Sequence, residues 1–147
     1  MGTRYFALAA GIVYLLVGLM GFIPGTHPMP AGGAMPDLAI DAGAGYLLGL
    51  FPINVLHNIV HLAIGAWGIA SYRSFNGSRA FARALAIVYA LLAIMGLLPS
   101  PFNTTFGLVP IFGNDIWLHA LTAIIAAYFG FVAQPERAEF VDASRRR

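Results

Sequence analysis

Residues 5–23 read Tyr5-Phe-Ala-Leu-Ala-Ala-Gly-Ile-Val-Tyr14-Leu-Leu-Val-Gly-Leu-Met20-Gly-Phe-Ile23, an apolar run without a single charge. At 1.5 Å per residue, a helix of this length covers a hydrocarbon core of about 30 Å. A secretory signal has a shorter core and ends at a small-residue cleavage site. This run follows Arg4 and ends in Phe22-Ile23-Pro24-Gly25, so it is read as a retained first transmembrane helix.

Working outward, three further apolar runs follow, at residues 52–72, 80–98 and 116–133. Each is long enough to span. Pro24 and Pro99 follow helix ends, Pro52 suits a first helical turn, and Asn114-Asp115 offers an N-cap. The expected fold is all-α: a four-helix transmembrane bundle over residues 1–133, then a polar tail over 134–147.

Composition points the same way. The chain is 59% hydrophobic and 10% charged, with a mean hydropathy of +0.78, whereas a soluble domain carries about 25% charged residues. A chain of 147 residues cannot bury so much apolar surface in one core. All 8 basic residues are Arg and the net charge is +2. No basic surface interleaved with aromatics suggests nucleic acid as a partner. With no cysteine, thiolate zinc sites and Cys-ligated iron–sulfur clusters are excluded.

Arginine placement orients the spans. Arg4 precedes the first, Arg73, Arg79 and Arg83 surround the loop between the second and third, and Arg137 and Arg145 to Arg147 follow the fourth. The loops 24–51 and 99–115 contain no Lys or Arg. The positive-inside rule puts both termini and the middle loop in the cytoplasm. His27, between Thr26 and Pro28 in the first outer loop, is read as solvated.

The two halves resemble one another. Tyr14, Met20, Gly21 and Pro24 recur as Tyr89, Met95, Gly96 and Pro99 at an offset of 75. Gly49-Leu50-Phe51-Pro52-Ile53 recurs as Gly107-Leu108-Val109-Pro110-Ile111 at an offset of 58, which carries His57 onto Asp115 and His61 onto His119. The change of offset, 75 − 58 = 17, is extra chain in the first outer loop. Two parallel helical hairpins related by a pseudo-twofold axis along the membrane normal are expected. Gly11, Gly18 and Gly21 on the first span, Gly65 and Gly68 on the second and Gly96 on the third form small-residue packing stripes, which let membrane helices approach closely.

Polar residues inside the spans are the functional candidates. Asn54, His57, Asn58 and His61 share one side of the second span, and Asp115 and His119 one side of the fourth, with Asn114 beside them. Three roles fit. They form a polar network that hydrogen-bonds the helices together; His57, His61, Asp115 and His119 hold a divalent metal through four N/O donors; or His61 and His119 are axial ligands to a haem or chlorophyll-type pigment. A proton-relay or substrate site is a further possibility. No hydroxyl is convincingly paired with a base, so an enzyme is not expected.

The string Gly49-Leu50-Phe51-Pro52-Ile53-Asn54-Val55-Leu56-His57-Asn58-Ile59-Val60-His61-Leu62 resembles the hallmark of a bacterial membrane family. So do Phe106-Gly107-Leu108-Val109-Pro110 and Gly113-Asn114-Asp115-Ile116-Trp117-Leu118-His119. The family is the domain of unknown function with serial forty-three eighty-three. The resemblance implies four helices and a bacterial source, and no activity. The expected role is a small non-catalytic membrane protein, an accessory or scaffold subunit of a larger complex or a homo-oligomer. The alternatives are a haem-, pigment- or metal-binding membrane protein and a small transporter.

Overall fold

A computed structural model describes residues 2–29 and 35–134. The polar tail beyond Gln134, with Arg137 and Arg145 to Arg147, lies outside the described residues. The chain forms α1 (Gly2–Met20), a short antiparallel hairpin of β1 (Gly45–Leu47) and β2 (Phe51–Ile53), then α2 (Val55–Ser71), α3 (Phe75–Gly96) and α4 (Asn114–Ala127). A π-helical turn, Tyr128–Val132, continues α4. The fold is therefore mostly helical, with a two-stranded hairpin in the first outer loop that the sequence reading did not anticipate.

Three helices are long and apolar enough to cross a membrane: α1, α3 and the combined segment Asn114–Val132. The fourth, α2, has 17 residues and is shorter than the expected run from 52 to 72. Its start moves because Pro52 lies in β2, where it needs no N–H, and Asn54 is the cap: its side chain accepts from the His57 N–H at 2.9 Å. At the other end of the bundle Ser74 caps α3 by accepting from the Gly77 N–H, so that helix begins before the expected Ala80. The expected cap at Asn114 is also corrected. Gly113 occupies that position, and the Asn114 side chain instead donates to the Leu50 carbonyl of the first outer loop.

Close packing follows the small residues. A methyl group on Gly11 would lie 2.7–3.0 Å from backbone atoms of Gly65, Gly68 and Ile69, so α1 and α2 touch through their main chains. Gly18 packs against the Asn58 carbonyl and Leu62, Gly21 against the Asn58 side chain, and Gly96 against the Ile111 carbonyl and Ile116. Ala7, Phe81, Leu85, Ala86, Tyr89, Ala123 and Ala126 form the buried core.

The ends of the bundle are tied differently. At the arginine end, Arg4 Nε donates to the Tyr72 carbonyl at 2.8 Å, and Arg79 and Arg83 Nε both donate to the Gly130 carbonyl at 3.0 and 2.9 Å. That carbonyl lies in the π-helical turn, where the regular ladder is interrupted and an acceptor is free for a side chain. At the loop end, the fully buried Asn54 amide donates to the carbonyls of Ile40 and Leu108, joining the two outer loops. Replacing Asn54 with Ala removes a cap of about 1 kcal/mol and orphans two carbonyls. A loss of roughly 2 kcal/mol is expected, measurable as a lowered thermal midpoint in detergent, together with faster chymotrypsin cleavage in the outer loops.

Candidate metal centre

The polar residues of α2 and α4 separate into two groups by what their atoms do. Asn54 and Asn58 are engaged: Asn54 as above, and Asn58 donating from its amide to the Gly21 carbonyl at 2.9 Å, which ties α2 to the end of α1. The histidines and the aspartate are placed otherwise. One ligand atom each from His57, Asp115 and His119 lies within 4.8 Å of the other two, and all three residues are buried. Asp115 Oδ2, His61 Nδ1 and His119 Nδ1, like the Oδ1 of Asn58, are buried atoms with no hydrogen-bond partner. Buried polar atoms are seldom left so.

His57 carries its own orientation device. Its Nδ1 lies 3.2 Å from the Pro52 carbonyl. A carbonyl only accepts, so Nδ1 bears the proton and Nε2 keeps its lone pair. An outer partner of this kind fixes the tautomer of metal-ligating histidines. His61, the expected fourth ligand, stands one turn along, its ring centroid 4.4 Å from that of His57, and is not among the three converging donors.

Two tyrosines complete the surroundings. Tyr14 lies 5.4 Å from His61, Tyr89 lies 5.0 Å from His119, and the tyrosines meet edge-to-face at 5.7 Å. Their recurrence at an offset of 75 is visible in the sequence; their approach to the two histidines is not. His27 is half-buried beside Thr26, far in sequence and role from this cluster.

The site opens into a cavity of about 420 Å³. Its walls are α1 residues such as Ala10 and Val13, α4 residues Leu118 and Ile125, and Leu47, Leu48 and Phe51 of the hairpin, while His57, His61, Asp115, His119, Tyr14, Tyr89 and Thr122 supply its polar part.

The family model described as "Domain of unknown function (DUF4383)" matches residues 4–132. The chain belongs to the DUF4383 family. All the residues of the cluster and both repeated loop motifs lie inside the stretch shared with DUF4383. No curated protein and no solved structure matches the chain, so its DUF4383 membership carries no assigned activity with it.

Proposed function

We propose that this protein is a non-catalytic, four-span membrane protein that binds one divalent transition-metal ion through His57, Asp115 and His119. The carrying observation is that one ligand atom each from the buried His57, Asp115 and His119 converges within 4.8 Å, with Asp115 Oδ2 and His119 Nδ1 left unpartnered. Two imidazole nitrogens and one carboxylate oxygen suit zinc and its neighbours. Two donors at about 2.1 Å from one ion are at most ~4.2 Å apart. In tetrahedral geometry the spacing falls to ~3.4 Å, so donors within 4.8 Å of one another draw in by up to roughly 1.4 Å to grip an ion. A fourth position faces the cavity. The convergence of His57, Asp115 and His119 calls for an ion rather than a tetrapyrrole held between His61 and His119, and a transporter would work with Asp115 as the single carboxylate in the described helices. The accessory-subunit role rests on exposed helix faces, which lipid covers equally well.

The same proposal includes the pseudo-twofold and the cytoplasmic placement of the arginine end. Residues related by the offsets make the same contacts. Arg4 to Tyr72 is repeated by Arg79 to Gly130, offsets 75 and 58. Leu48-Gly49 and Phe106-Gly107 both have positive φ, 54° and 73° against 60° and 85°. A leucine or phenylalanine in that region is strained, and repeating it at the same motif position is poorly explained by chance. Phe6 meets Phe81, and Tyr14 meets Tyr89; only residues beside a twofold axis touch their own equivalents.

The test is equilibrium dialysis of chelator-stripped protein in mild detergent against Zn²⁺, followed by elemental analysis. One ion per chain is expected. Retention well below one ion, or several ions held loosely, sinks the assignment.

A further inference from the structure

The cavity points beyond a metal. It lies between α1 and α4, and two of its lining residues, Val13 and Ile125, are 57% and 42% exposed. Its mouth therefore faces sideways, where a spanning chain meets lipid. The gap related to it by the repeat, between α2 and α3, is filled. Trp67, standing where Ile125 stands in the other half, packs edge-on against Phe81 at 5.2 Å. The roof is also one-sided. Leu47, Leu48 and Phe51 cover the cavity, and the extra chain of the first outer loop leads into that hairpin. The two sides of the bundle thus differ: a cavity opens between α1 and α4, and a tryptophan–phenylalanine contact stands at the related position.

We infer that this opening admits a neutral-headed isoprenoid lipid of the quinone class, its ring among Tyr14, Tyr89, His61 and His119 and its tail leaving past Val13. The volume is that of a small-molecule site, enough for a head and the first part of a tail. Charge selects the head: no Lys or Arg lines the cavity or occurs in either outer loop, so a phosphate would be buried unpaired at high cost. Hydrogen bonding selects it further. His61, His119, Tyr14 and Tyr89 line the cavity; imidazole and phenol groups suit carbonyl or hydroxyl oxygens, and the tyrosine edges and faces suit a flat ring. An apolar wall receives the tail. This inference shares residues with the metal site but does not require the ion.

The probe is decylubiquinone, titrated by calorimetry into the metal-free full chain in phosphatidylcholine nanodiscs, with empty nanodiscs subtracted. Val13→Trp should fill the mouth and weaken binding by at least about tenfold, since a blocked pocket loses the ligand's buried contacts. Val88→Trp, at the repeat-related position on α3, is 48% exposed in the parent and should bind as the parent does. Zinc retention by Val13→Trp, measured alongside, reports separately on the metal site and on folding. Absence of saturable binding by the parent overturns the inference. So does equal binding by parent and Val13→Trp, which would mean partition into lipid only. Loss of zinc binding throughout, with quinone binding intact, would overturn the metal assignment and leave this one standing.

Discussion

Asp115→Ala should abolish stoichiometric zinc retention, and His57→Ala and His119→Ala should do the same, whereas His61→Ala should leave the ion in place. The expected loss of affinity is roughly 100-fold or more for each of the first three, because even the partners behind metal ligands cost 10–100-fold when removed. His61 separates this outcome from general disruption. It is buried, though less than the other three, and sits against His57 and Tyr14, so its truncation leaves a cavity in the same place without removing a converging donor. Elemental analysis after dialysis checks all four variants, and their thermal midpoints in detergent report on folding. Retention by Asp115→Ala or His119→Ala refutes the trio; loss in all four variants would put His61 among the ligands, as the four-donor reading of the sequence had it. Substituting Pro52 does not test the outer partner of His57, since the contact is made by a main-chain carbonyl.

The second large effect is mechanical. Gly11→Leu should destabilise the protein by about 3 kcal/mol, at the upper end of what overpacking costs. The atoms that a side chain at this position meets are backbone atoms of α2, at 2.7–3.0 Å, so no rotamer change relieves the clash and the helices must separate. The counterpart in α3 is Ala86, which already carries a methyl group in a buried site. Ala86→Gly should therefore cost only the cavity of one methyl group plus glycine's helix penalty, roughly 1–2 kcal/mol. Unfolding in detergent with increasing denaturing surfactant measures both. A Gly11→Leu protein as stable as the parent would mean that α1 and α2 are not held in main-chain contact.

Much of the architecture is legible without coordinates, for a definite reason. In lipid every backbone group must be paired inside the protein, and a run of about 20 apolar residues does this as a helix, so length and hydropathy call for helices, and the four apolar runs correspond to α1 to α4. Helix ends were harder. Pro52 and Asn114 both carry plausible start signals, yet Asn54 and Gly113 hold the cap positions, because β2 and the contact with Leu50 claim the other two. Ser74 was an available signal ahead of Phe75, masked by the polar stretch that follows it. The arginines are doubly informative: their asymmetry is a matter of composition, but their hydrogen bonds to the Tyr72 and Gly130 carbonyls depend on how two helix ends meet.

The candidate site divides in the same manner. Local sequence determined which residues are available, since His57 and His61 must share a face at one-turn spacing, as must Asp115 and His119. The repeat offsets aligned the two pairs. Only the tertiary structure decided that His57, rather than His61, joins Asp115 and His119, that the asparagines take the bridging bonds, and that a cavity opens between α1 and α4. Those outcomes depend on the distance between helices and on which gap a large side chain fills. A glycine contact, a tryptophan against a phenylalanine and a three-residue strand settle them, and none of these follows from the periodicity of one helix taken alone.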